Sequence, residues 1–406
     1  MESQPAVDVA AVSGGRPFSR PALVRPREVA FWFYVGLLGM GAWLTIVQQD
    51  VLLHISPSGF GLSWLLLVLY LFPAAVLIAY LDIARKQPLS MLAGALLWGA
   101  VTATAVAARG NVGWGLVVAR LGGPDFAAEW SAAVTAPVVE ETAKVVGVVL
   151  LAMIAADEFH DPLDGFVYGA LVGLGFAVVE DVLYFVAIFG GTPSDVVRGF
   201  GVRVLSSGLY GHALWTGISG LGVGYFISMR RQWTTGRRLL VAGSLLLVAM
   251  AGHFLWDSPL LNLAGSKGNA WLMLVVESAV KGLPFLAFGA ILVVLARRRE
   301  RRLLLGVLSR EAIHSTIRPE EVPTLRSAAA RRRARRALRA RAGRGAAAIL
   351  KRLQRQQLHL AAVLERYGEN AEPTLRQRAV CDRLRRRLVA LGGETTQAIE
   401  PALRPG

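Results

Sequence analysis

The sequence predicts an all-α, polytopic membrane bundle of about eight transmembrane helices followed by a basic helical C-terminal tail. Three observations predict it. Hydrophobic residues make up 54% of the 406, at a mean hydropathy of +0.47, too apolar for an ordinary soluble chain of this length. Apolar stretches long enough to cross a bilayer recur at about 29–47, 62–83, 89–108, 134–155, 164–189, 203–228, 239–260 and 270–296. The net charge of +16 gathers at one end: from Arg297 onward 27 Lys and Arg face 10 Asp and Glu, while the preceding body holds 17 and 18. The chain therefore reads as a polar, basic N-terminal segment (1–28), a transmembrane domain (29–296) and a basic, helical tail (297–406).

Taken in order, the N-terminal segment carries Arg16, Arg20, Arg25 and Arg27 just ahead of the first apolar run. It is too long, and lacks the small-residue cleavage site, for a removed signal peptide, so the first span is read as retained. An even number of spans puts both ends on one side, and the arginines make that side cytoplasmic. Arg85, Lys86, Arg230, Arg231, Arg237 and Arg238 agree, as does the loop 48–61, which has no Lys or Arg and falls outside. Arg109, Arg120 and Arg198 on the outer side and the acidic inner loop 156–163 run against it. High arginine, alanine and glycine suit a GC-rich bacterial genome and the bacterial cell membrane. The single cysteine, Cys381, excludes an intrachain disulfide framework.

Within this apolar body, charged residues stand where they are expensive. Glu140, Glu141 and Lys144 lie in the middle of the fourth span, at a cost of several kcal/mol per charge on the mildest scale. Helical spacing lets Lys144 neutralise one carboxylate but not both. The other needs a proton, a metal or a histidine. Glu180 and Asp181 lie inside the fifth span, His212 in the sixth, and His253 one turn from Asp257 in the seventh. Lone histidines in apolar helices are usually hydrogen-bonded packing residues, and the small-residue stripe Gly165, Gly169, Gly173 is best read as helix packing. Depth favours a shared site instead. At about 1.5 Å of rise per residue, Glu140 and Glu141 lie roughly 10 Å below the outer boundary, Glu180 and His212 about 14 Å, and His253 about 10 Å. Groups from four helices converge on one layer.

Such a layer suits acid–base or metal chemistry on water. Zinc would find ligands in His212, His253 and one of Glu141 or Glu180, leaving a position for water. There is no HExxH, no GxSxG and no cysteine in the spans, so a standard zincin is not supported and the usual serine and cysteine hydrolases are argued against. The same groups would also serve a proton- or ion-coupled transporter, the rival reading. A scaffold whose spans are mere anchors leaves the buried acids unexplained. Glu277 and Lys281 in the eighth span read as a structural ion pair, and Trp215, Trp256 and Tyr184 as packing aromatics or walls of a substrate groove.

The series Glu140-Glu-Thr-Ala-Lys144, Asp164-Gly-Phe-Val-Tyr-Gly169, Gly175-Phe-Ala-Val-Val-Glu180, His212-Ala-Leu-Trp-Thr-Gly217 and His253-Phe-Leu-Trp-Asp257 resembles the motifs of the PrsW family of bacterial intramembrane proteases, distant relatives of the CAAX prenyl proteases. The resemblance covers about 130–260. It implies an active-site set of Glu140, Glu141, Glu180, His212 and His253 supported by Asp257 and Lys144, and a membrane-protein substrate, in the best-known case a membrane-bound anti-sigma factor. It allows either a metal or a glutamate-activated water: Glu140 or Glu141 as base, His212 orienting the water, and His253 with Asp257 steadying the oxyanion. Asp181 departs from the pattern, where an asparagine is expected.

In the tail, 328–364 and 374–391 have helical periodicity. The cluster Arg331 to Arg339 would suit anionic lipid headgroups or nucleic acid, and no aromatic interleaving supports the latter. The lipid bilayer and a membrane-protein substrate are the expected partners.

Overall fold

The computed structural model describes residues 22–81, 87–206, 208, 211–230, 232–261, 270–312 and 316–392. Of the residues used for orientation, Arg16, Arg20, Arg85, Lys86 and Arg231 lie outside them. Every long element among the described residues is helical, and the chain divides into two compact units, 1–290 and 291–406.

The first unit begins with α1 (Val29–Ile55) and α2 (Pro57–Ala79). Both are apolar all round, and they turn outward Trp32, Trp43 and Phe72, which are 59%, 68% and 75% exposed. In water such faces would cost about 25 cal/mol for each Å², so they mark surfaces built to meet lipid. Helix α3 runs Leu89–Gly122 through a π-helical stretch, Trp98–Ala103. It is much longer than the third apolar run. Gly123, at φ 86°, ends it, and Pro124 opens α4 (Pro124–Ile154) at once. The expected outer loop is therefore one tight corner, where glycine supplies the positive φ and proline the first helical residue.

Helix α5 (Pro162–Ile188, its last turn π-helical) is the axis of the unit and is buried along almost its whole length. Its start is fixed by Asp161, whose side chain accepts from Leu163 N at 2.7 Å, and by Asp164, which accepts from Asp161 N at 2.9 Å and from Gln87. Tyr168 donates to Gln87 Oε1 at 2.6 Å. The Asp164–Tyr168 motif thus builds a helix terminus. Farther along, the glycine stripe meets α7 (His212–Ser228): a Cβ at Gly169 would lie 2.2 Å from Thr216 O, and one at Gly173 2.2 Å from His212 O. Bare backbone is what lets the two helices touch.

Here the sixth span needs correction. Residues 193–206 form a separate short element, α6 (Pro193–Phe200) with a π-helical continuation, Gly201–Ser206. A capping box of Thr192 and Asp195 starts α6, and α7 begins only at His212. His212 therefore opens its helix instead of lying several turns down it. Helices α8 (Thr235–Asp257) and α9 (Ala270–Glu311) follow. Among the described residues six helices are long and apolar enough to cross a membrane: α1, α2, α3, α5, α8 and α9. The count falls below eight because α4 carries Glu140, Glu141 and Lys144 at its centre and α7 has only 17 residues. Those two helices hold much of the polar machinery described below.

At one end of the bundle Arg25 Nη2 meets Asp157 Oδ1 at 2.5 Å, so the acidic 156–158 turn and the N-terminal arginine share an end. The Arg25 guanidinium is raised above its ordinary value chiefly by the hydrogen bond to Asp157.

The second unit has its own apolar core, including Leu308, Leu338, Leu353, Leu360 and Leu388. It contains α10 (Val322–Leu325), α11 (Ala328–Tyr367, broken at Gly343, φ 81°) and α12 (Glu372–Ala390). Its buried acids are paired: Glu321 Oε2 accepts from Arg385 Nη2 at 2.8 Å and from Gln357 Nε2 at 2.6 Å, and Glu311 Oε1 accepts from Arg378 Nε at 2.6 Å.

Candidate active site

The polar residues nominated from sequence meet at one place. Helix α4 places Glu140 and Lys144 on one face four residues apart, and Glu141 and Lys144 three apart. Lys144 is fully buried and donates to Glu140 Oε2 at 3.1 Å and Glu141 Oε1 at 2.9 Å, with the Phe176 ring centroid 3.7 Å from its ammonium. It also lies 2.8 Å from His212 Nδ1. An ammonium can only donate, so Nδ1 is the acceptor and the ring proton sits on Nε2. There it donates to Glu180 Oε2 at 2.9 Å. His253, from α8, lies between three carboxylates: Nδ1 is 3.2 Å from Glu141 Oε1, and Nε2 is 3.2 Å from Asp257 Oδ2 and 3.8 Å from Glu140 Oε2. Trp215 stacks on His253 with ring centroids 4.6 Å apart.

A cavity of about 650 Å³ opens beside this cluster, and its lining separates the groups into two kinds. Glu140, Glu180, His212, His253 and Asp257 form part of its wall. Glu141 and Lys144 are sealed behind, Glu141 held by Lys144, His253 and Thr216, whose Oγ1 donates to Glu141 Oε2 at 3.1 Å. Accessible groups can touch a substrate; sealed ones can only place their neighbours.

Three participants were not nominated from sequence. Asn111 of α3 donates through Nδ2 to Glu140 Oε1 at 2.9 Å. Arg203 donates to Glu180 Oε2 at 2.6 Å and to Asp181. Thr216 fixes Glu141. Nothing in local spacing marks Asn111 or Arg203, since both are polar residues at what sequence reads as span margins. Thr216 lay inside a motif already singled out, one turn from His212.

Five carboxylates (Glu140, Glu141, Glu180, Asp181, Asp257) here meet two permanent cations (Lys144, Arg203), a negative surplus that calls for protons or a metal. Ligand atoms of Glu140, His212 and His253 all lie within 4.8 Å of one another. Two imidazoles and a carboxylate are a donor set suited to zinc, so the residues present fit a divalent cation. The carboxylate in this set is Glu140. Of the two expected from sequence, Glu141 has no face on the cavity, and Glu180 accepts from Arg203 and His212.

Fold and site together define a polytopic integral membrane protein with an acid–histidine centre inside its membrane domain. Residues 87–286 match the model of the PrsW family intramembrane metalloproteases. It is 36% identical over 100 residues to Protease PrsW of Geobacillus kaustophilus (strain HTA426), an alignment covering 25% of this chain and 40% of that protein. No solved structure is similar to it at a significant level.

Proposed function

We propose that this protein is an intramembrane endopeptidase that hydrolyses a peptide bond in a membrane-bound protein by glutamate- and histidine-activated water. The observation that carries the reading is the convergence of Glu140, Glu180, His212, His253 and Asp257 on one cavity wall, with a second layer, Glu141 and Lys144, holding them. In the reaction, water oxygen bonds to the scissile carbonyl carbon and a water proton passes to Glu140, whose orientation Asn111 and Lys144 fix. His212, held at Nδ1 by Lys144 and at Nε2 by Glu180, walls the water's side of the cavity, and His253 with Asp257 faces the developing oxyanion. The carbon–nitrogen bond then breaks and the proton returns to the leaving amine, giving one new carboxylate and one new amine. Glu140, His212 and His253 would hold a divalent cation, which would supply Lewis-acid stabilisation of the oxyanion.

Single-pass membrane proteins suit the cavity's place in the bundle, and the anti-sigma factors implied by the family resemblance are the first candidates. The orientation with both ends cytoplasmic, the bacterial cell membrane as location and the division at 28/29 and 296/297 belong to the same proposal. So does contact between the tail and anionic lipid, which is supported by helix α11: from 328 to 364 it carries 11 Lys and Arg and no acid. The test is a comparison of membrane-protein fragments in cells expressing the wild type, Glu140→Gln or Glu141→Gln. Fragments produced by the wild type and by neither variant are expected. Identical fragments in all three would refute the reading, and ion flux from liposomes containing the protein would then favour transport.

A further inference from the structure

Arg203 is a cation on an element between spans, yet its guanidinium reaches the site. Nη2 donates to Glu180 Oε2 at 2.6 Å, Nε to Asp181 Oδ1, and its central carbon lies 3.7 Å from the Tyr184 ring centroid. The same oxygen, Glu180 Oε2, also accepts from His212 Nε2 at 2.9 Å. One carboxylate oxygen is thus fixed from two sides, by a guanidinium and by the imidazole.

The neighbouring Asp181 gives this arrangement its logic. Two adjacent carboxylates inside a membrane helix repel each other, and one ammonium, Lys144, is already committed to Glu140 and Glu141. Without Arg203, Asp181 would be a second uncompensated buried anion beside Glu180, and their repulsion would draw Glu180 Oε2 away from His212 Nε2. We propose that Arg203 is a positioning residue: it offsets the Asp181 charge and fixes Glu180 Oε2 where it holds His212 Nε2 in the site. The inference rests on the proteolytic reading and adds to it a residue, a compensating pair, and the element α6–π turn that presents them.

The charge logic makes a prediction that a merely structural arginine would not. Removing the guanidinium does harm because Asp181 is left behind, so removing the Asp181 charge as well should undo part of the harm. The test uses the full-length protein, purified into nanodiscs, on the single-pass protein whose fragments depend on the wild type. Arg203→Gln is expected to lower kcat about 10- to 100-fold, the usual cost of losing a supporting partner, with KM changed less than about threefold. Arg203→Lys should stay within about fivefold of the wild type, and Arg203→Gln with Asp181→Asn should recover about tenfold over Arg203→Gln alone. Arg203→Gln at the wild-type rate, a loss confined to KM, or a double variant no faster than the single would overturn the proposal. If Arg203→Gln does not fold, the Arg203→Lys and double variants decide the question by the same limits. Glu140→Gln in parallel separates the two claims. Wild-type cleavage by Glu140→Gln sinks the proteolytic reading itself, whereas a silent Glu140→Gln beside a fully active Arg203→Gln sinks the positioning role alone.

Discussion

Taking an ammonium out of water costs several kcal/mol, and Lys144 recovers it only by facing two carboxylates, an imidazole nitrogen and an aromatic ring at once. That saturation explains why Glu140 and Glu141, adjacent in sequence, differ in character. Glu140 keeps a face on the cavity, and Glu141 has none. Asn111 then matters as much as any charged group, because its amide holds Glu140 Oε1 and so aims the carboxylate. Asn111→Leu should lower kcat about 10- to 100-fold while leaving expression unchanged, measured as fragment yield per unit of protein. Glu140, Glu141 and Lys144 were legible in sequence because charge in an apolar run has no ordinary explanation. Asn111 was not, since an asparagine at a span margin costs little and its partner is 29 residues away.

At the scale of elements, the site depends on two helices whose sequence makes them poor membrane spans. Helix α4 tolerates its charges because α5, α7 and α8 supply the counter-groups, and α7 can start at mid-bundle because its N-terminal residue, His212, is held by side chains. Hydropathy alone merged 203–228 into one span, since it weighs composition and does not see that α6 and α7 are separate helices. The glycine stripe was read as packing, and Gly169 and Gly173 do lie against α7 backbone. Gly169→Leu would drive side-chain atoms into Thr216 O and should cost about 1–3 kcal/mol or more, read as a lower melting temperature and lost cleavage together. In the same bundle Lys281 pairs with Glu277 at 2.8 Å and donates to Ser258 O at 3.0 Å, closing the end of α8 just past Asp257. The ion pair expected from sequence thus also caps the helix that carries His253.

Across the whole molecule, the two units solve different solvation problems. The first is apolar outside and polar at its site. The second has an ordinary apolar core with paired buried acids beneath a surface rich in arginine. Its Cys381 is buried, and burial pushes the thiol up to about 12. A raised value means the folded state holds the proton, so this stabilisation is complete below the ordinary thiol range and is lost as pH rises toward 12. At pH 8 iodoacetamide should label Cys381 only after denaturation; rapid labelling of the folded protein would contradict the buried placement.

The claim that joins all three scales is that this cavity hydrolyses a peptide bond with water. Purified full-length protein and its single-pass substrate, incubated in ¹⁸O-water, give the most direct measurement by mass spectrometry of the fragments. The wild type should yield a new C-terminal carboxylate carrying one ¹⁸O, and Glu140→Gln should yield none. Unlabelled fragments, or equal labelled yields from wild type and Glu140→Gln, would contradict it.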